Sequence, residues 1–316
     1  MVAASIPIFI FAILVFLFQY SLPAIRFNGP GFFTGIIWSL GNLNAQDFIT
    51  RNGVQGLPGA SYGVLAFLVG TVVSSVIALL IAVPTSIAIA LFTSEDAPRR
   101  IREPLVALVD LLAGVPSVIY GLWGILVLIP LMQKTLSPAL ASVLGFIPIF
   151  GGAVGTGYGL LTSGLLLALM ITPIVCSTVR ESFAKTPVEL KEGALALGST
   201  KWEMERRIML PFSMTTIAGA SMLGLGRALG ETMAVLMVGG GALNYLPNNI
   251  YSPISTMATV IISLLDSAFT DPTNLALYSL AEVALLLFVV TLAANMAARL
   301  FVAGGITRAF VSRGET

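Results

Sequence analysis

Six stretches of this chain are each long and apolar enough to cross a hydrocarbon layer of about 30 Å as a helix. They fall at residues 5–25, 63–93, 104–132, 159–180, 212–240 and 275–298. Lipid offers no partner to a backbone N–H or C=O, so such segments satisfy their own backbones as helices. The composition agrees: 57% hydrophobic and 10% charged, with mean hydropathy +0.96, whereas a soluble domain is about a quarter charged. The expected fold is an all-α integral membrane protein with six transmembrane helices.

The first stretch, SIPIFIFAILVFLFQYSLPAI, has neither the basic leader nor the small-residue cleavage pattern of a signal peptide. No Lys or Arg precedes it, an unusual start for a first span, and the sequence does not tell whether a short cytoplasmic tail is absent from this chain. A Gly/Pro-rich polar loop follows over 26–61. The second stretch holds Pro84, where a kink is expected. Residues 133–158 read as a glycine-rich loop, and no Gly-Lys-Ser/Thr follows to make it a phosphate-cradling one. Within the polar loop 242–272, SPISTMATVIISLLDSAF reads as a helix too short to cross. The organisation expected is residues 1–61 as first helix and external loop, 62–303 as a five-helix core, and 304–316 as a cytoplasmic tail.

Positive residues stay on the cytoplasmic side. One side carries Arg99, Arg100, Arg102, Arg180, Lys185, Lys191, Lys201, Arg206, Arg207, Arg299, Arg308 and Arg313; the other carries Arg26, Arg51 and Lys134. Both termini and the charged segment 186–209 are therefore expected in the cytoplasm. The chain has no histidine and one cysteine, Cys176. This removes histidine-based catalysis, the commonest transition-metal ligand and any intrachain disulfide. No catalytic residue, metal or cofactor is expected, and with net charge +1 and no basic tract, no nucleic acid.

Two places concentrate the remaining chemistry. The first is 186–209. Thr186-Pro187-Val188-Glu189 and Thr200-Lys201-Trp202-Glu203 both have the form of a capping box, and Gly198 is placed to end the first helix in a left-handed conformation. Leu190, Ala194 and Leu197 share one face at helical spacing. Two short helices meeting at a glycine corner are expected, with Pro211 opening the fifth span. By periodicity alone this is an ordinary loop lying on lipid headgroups.

The second place is Arg227 with Glu231, four residues apart inside the fifth span. A central arginine in a spanning helix costs about 2.5–3.5 kcal/mol by insertion scales. One reading is a neutralised pair that locks the bundle. The other is a site: Gly224, Gly226 and Gly230 let another group approach, and guanidinium matches a tetrahedral oxyanion through two parallel hydrogen bonds. Asp110, Glu282, Trp38, Trp123 and Trp202 read as interfacial. Ser117 and Tyr120 fit close packing as well as pore lining.

The spacing of Glu192-Gly193-Ala194, Gly198 and Ile208-Met209-Leu210-Pro211 resembles the EAA loop of ABC-importer permeases, departing from it at Gly193, where alanine is usual. The resemblance narrows with Leu223–Val235, Gly114–Gly124 and Ala78–Pro84, which are similar to phosphate-importer permeases of the PstC/PstA family, on the PstC side. It covers about residues 60–300. It implies an ABC type I importer permease-like bundle and a phosphate importer. ATPase coupling would run through Glu192, Gly193, Ala194, Gly198, Ile208, Leu210 and Pro211, with Arg227 and Glu231 serving phosphate transport. It also implies partners: a second, PstA-like permease in a heterodimer, two PstB-like ATPases, a PstS-like binding protein and membrane lipid. ATP hydrolysis would belong to the ATPases. Rival readings are a permease for molybdate or sulfate, a stand-alone anion channel or secondary transporter, and a membrane enzyme. A channel has no use for a docking loop, and an enzyme lacks its histidines and clustered carboxylates here.

Overall fold

The computed structural model describes the backbone of residues 2–311 and the side chains of residues 6–300. In the tail expected at 304–316, Arg308 and Arg313 lie outside the described side chains. Among the described residues, six helices have the length and apolarity of membrane spans: Ile6–Asn28, Leu65–Asp96, Ser117–Leu144, Leu160–Ala184, Lys201–Gly230 and Leu275–Leu300.

Both boundaries of the third and fifth spans differ from expectation. The third span starts at Ser117 rather than near residue 104 and runs to Leu144, taking in part of the expected glycine-rich loop. Residues Arg99–Ala113 form a separate helix with no fully buried residue. It stops because Gly114 and the pre-proline residue Val115 disfavour its continuation into Pro116. The fifth helix begins at Lys201 and passes through Pro211 without interruption. It then ends at Gly230, and a six-residue helix, Met233–Val238, follows after a break at Glu231 and Thr232.

Prolines explain another regularity. Four wide π-type segments occur among the described residues: Phe92–Asp96, Gly124–Leu128, Met132–Leu136 and Glu205–Met209. Each ends two residues before a proline: Pro98, Pro130, Pro138 and Pro211. A proline lacks an N–H and its ring crowds the carbonyl four residues back, and a widened turn relieves both. Pro84 is carried within the continuous helix Leu65–Leu91.

The chain packs as two compact units. The first combines residues up to Ser74 with Gly121–Ser163 and Leu229–Thr291. Its core brings Phe27, Trp38, Tyr62, Phe67, Met257 and Leu275 together. The Trp38 ring meets Tyr62 edge-on at 5.0 Å, so Trp38 is a buried anchor rather than the interfacial one expected. Loop 26–61 is more ordered than its composition suggested. Trp38–Ser39 pairs antiparallel with Ser61–Tyr62, and Ile49–Arg51 pairs antiparallel with Val54–Gly56. The hairpin turns on Asn52 and Gly53, both at positive φ (50° and 79°), as a tight two-residue turn requires. The expected short helix in loop 242–272 is Met257–Ser263, capped by the Thr256 side chain.

The second unit combines Ser75–Tyr120, Gly164–Ala228 and residues from Leu292 onward. Cys176, Val179 and Phe183 lie at helical spacing on the fourth span and pack with Ala90, Met204, Met209 and Ile217. Cys176 is free and buried, a small apolar filler in this core.

Candidate functional site

Docking segment 186–209 folds as two helices about a glycine corner. Val188–Ala196 is the first. Gly198 follows at φ +85°. Its N–H donates to Leu195 O at 3.0 Å, and the Ser199 N–H donates to Ala194 O at 3.2 Å. These two bonds satisfy the last carbonyls in the Schellman arrangement. The capping box at Thr200 and Glu203 is present with both reciprocal bonds. The one expected at Thr186 is absent: Pro187 occupies the cap and makes no side-chain bond. The Thr186 hydroxyl is buried without a hydrogen-bond partner.

Ala194, Met204, Met209 and Leu210 face inward, onto the core of the second unit. Glu192, Gly193 and Pro211 are exposed, and Ile208 is half-buried. Leu197, at 90% relative exposure, and Trp202, at 60%, leave large apolar groups uncovered beside the corner. Soluble surfaces seldom leave such groups clustered without something to cover them.

Charge fixes the segment in place. Lys191 Nζ meets Glu95 Oε1 at 2.5 Å and Lys201 Nζ meets Asp96 Oδ1 at 2.6 Å; outside the segment, on the fourth span, Arg180 Nη2 meets Asp110 at 3.2 Å. Asp110 therefore sits on the separate helix Arg99–Ala113 and pairs with the fourth span, rather than marking the end of the third. The roles of Lys191, Lys201, Glu95 and Asp96 were not read from the sequence. The only signal was that SEDAPRRIRE and the docking segment are both dense in charge.

Arg227 is exposed, in the last turn of the helix ending at Gly230. The expected one-turn pairing with Glu231 required a continuous helix. The break removes it, and neither residue belongs to an ion pair among those described. Glu231 instead accepts a hydrogen bond from the Ala234 N–H at 3.3 Å. Of the glycines around Arg227, Gly224 is packed: a Cβ there would lie 3.2 Å from Val175. At Gly226 the nearest group is Asn295 Nδ2 at 3.9 Å, and Gly230 faces open space. Tyr120 is buried, and its hydroxyl donates to Leu112 O at 2.8 Å; its phenol lies within electrostatic reach of Arg227.

Glu282 lies near the start of the sixth helix, Leu275–Val311, where it is 5% exposed and accepts from Asn28 Nδ2 at 2.9 Å. No cluster of three or more His, Cys, Asp or Glu that could hold a metal occurs among the described residues.

Residues 82–304 match the family model of binding-protein-dependent transport system inner membrane components. The chain is 46% identical to the phosphate transport system permease protein PstC 1 of Mycobacterium tuberculosis over 282 residues, 88% of this chain and 83% of that protein. It is 41% identical to PstC of Pasteurella multocida over 245 residues, 77% of this chain and 75% of that one. Among solved structures, a chain of a bacterial alginate ABC transporter superposes with TM-score 0.58 at 17% identity, covering 94% of this chain and 92% of its own. A chain of the inward-facing MetNI methionine ABC transporter does so with TM-score 0.51 at 17% identity, covering 77% and 94%. At that identity these two likenesses speak to the fold alone.

Proposed function

The chain belongs to the family of binding-protein-dependent transport system inner membrane components, among its PstC-type phosphate permeases, and from that membership we propose that it is the permease subunit of an ATP-driven inorganic phosphate importer. It forms half of a translocation path with a second, PstA-like permease in a bacterial or archaeal inner membrane, both termini cytoplasmic. Two PstB-like ATPases bind below, and a PstS-like protein delivers phosphate from outside. The subunit catalyses nothing itself and needs no cofactor.

The observation that carries this reading is the 46% identity over 88% of the chain to a phosphate permease. The exposed guanidinium at the break in the fifth helix adds to it. Broken helices in transporters concentrate substrate-binding groups, because unwound backbone is tolerated only where it lines a cavity. Arg227 offers a fork of donors to phosphate oxygens, and Glu231 makes the local field less positive. The anion is thus held weakly enough to leave. The exposed corner with Leu197 and Trp202, formed around Glu192, Gly193, Ala194 and Gly198 and continued by Ile208, Leu210 and Pro211, is the knob an ATPase cleft would take. Closure of the ATPases on nucleotide would draw two such knobs together and rock the bundle outward.

The test is uptake of labelled phosphate by the reconstituted four-component complex, competed by sulfate and by molybdate. Phosphate uptake that needs ATP and resists both competitors is the expected result. Uptake without ATP would identify a channel, and preference for another oxyanion would reassign the substrate.

A further inference from the structure

The turn that closes the second span, Phe92–Asp96, receives cationic side chains from three separate elements. Arg102 Nε, from the helix Arg99–Ala113, donates to Thr93 O at 2.5 Å. Lys191, on the first docking helix, reaches Glu95 Oε1. Lys201, at the start of the second, bonds Glu95 O at 2.8 Å as well as Asp96 Oδ1. A helix ends in carbonyls without partners and carries partial negative charge there, so cations are favoured. Here two of the three come from a loop that lies between the fourth and fifth spans, roughly a hundred residues away in sequence.

The pairs are not equivalent. Lys191 and Glu95 are both mostly buried, with side-chain exposures of 17% and 19%, whereas Lys201 and Asp96 are close to half exposed at 48% and 45%. Solvent screens the second pair much more than the first. Beside them Glu205 is 3% exposed, and its Oε1 has no hydrogen-bond partner. Its electrostatic neighbours are Asp96, Lys201 and Glu95.

We propose that the Lys191–Glu95 pair, supported by Lys201, is the joint through which movement of the docking loop is passed to the second span, with Lys191 and Glu95 as positioning residues for transport. The loop is covalently continuous with the fourth and fifth spans only. Alongside the apolar contacts that Met204 and Met209 make in the core they share with Ala90 and Leu91, this joint ties a displacement of the loop to the end of the second span. The inference rests on the docking reading above.

The experiment uses the full complex in proteoliposomes and measures phosphate taken up per ATP hydrolysed, alongside co-purification of the ATPase. Lys191→Gln should lower that ratio about fivefold while the ATPase still co-purifies. The reciprocal variant, Lys191→Glu with Glu95→Lys, should recover most of it, and it keeps the test open if the single variant assembles poorly. A role confined to folding would lower uptake and hydrolysis together and leave the ratio unchanged. An unchanged ratio in Lys191→Gln would overturn the inference, as would a reciprocal pair no better than its single components. Loss of the ATPase from Lys191→Gln that the reciprocal variant does not restore would also overturn it, making Lys191 a docking contact. Failure of the wild-type chain to hold the ATPase would instead overturn the docking reading itself.

Discussion

Glu231, inside the break between the two pieces of the fifth helix, accepts a hydrogen bond at Oε1 from the Ala234 N–H at 3.3 Å. The carboxylate thus satisfies one free N–H in the first turn of the second piece, Met233–Val238, whose N-cap residue Thr232 makes no side-chain bond. Glutamine at 231 keeps an acceptor oxygen and loses the charge, whereas alanine loses both. Glu231→Ala should lower the stability of the purified complex by about 1 kcal/mol, the usual worth of a cap, and Glu231→Gln should leave its unfolding midpoint unchanged. If the charge also tempers Arg227, the glutamine variant will be stable yet poor in phosphate uptake. Full uptake by Glu231→Gln would reduce the residue to its capping role.

Arg227 can be separated from charge alone. Arg227→Gln removes the cation and should abolish uptake while the complex still assembles. Arg227→Lys keeps the charge but loses the planar fork, so its half-saturating phosphate concentration should rise about tenfold or more, the scale of one charge-assisted hydrogen bond. Lysine performing as well as arginine would remove bidentate recognition from the account.

The corner at Gly198 stands at φ +85°, and a Cβ there would meet nothing within 4 Å. A substitution is therefore strained by backbone conformation and not by crowding. Gly198→Val should weaken ATPase co-purification by about 1–2 kcal/mol, the cost of a left-handed residue, and Gly198→Asn should do so less. At Gly193 the added Cβ also meets open space, but the residue lies within the helix Val188–Ala196. Gly193→Ala should stabilise that helix by up to ~1 kcal/mol and leave docking intact. Weakened co-purification in Gly193→Ala would mean that the ATPase approaches the backbone there.

The six apolar helices and the glycine corner were legible because each depends on local information: run length, capping residues and one glycine. The boundaries were not. Leu105–Leu131 is apolar nearly throughout, so hydropathy merges the separate helix Arg99–Ala113 with the third span. The break at Glu231 carries no proline to announce it. Pro211 announces an interruption that the wide turn Glu205–Met209 absorbs. Long-range partners were least visible of all. Glu95 meets Lys191 from 96 residues away, and Glu282 meets Asn28 from 254 residues away. No periodicity encodes such pairs.

The last of these pairs carries its own prediction. Glu282 is buried, and Asn28 Nδ2 donates to it at 2.9 Å while also lying 3.4 Å from Ser279 Oγ. Asn28→Ala leaves a buried carboxyl group without this donor, a loss of about 1–3 kcal/mol. Glu282→Gln keeps an acceptor and should cost less. The combined variant Asn28→Ala with Glu282→Leu removes both polar groups, so it should be more stable than Asn28→Ala alone, because the stranded group rather than the lost bond dominates the penalty. Unfolding midpoints of the purified complex read this directly. A double variant less stable than Asn28→Ala would mean that Glu282 has a further favourable partner in the assembled transporter, with the neighbouring permease the first place to look.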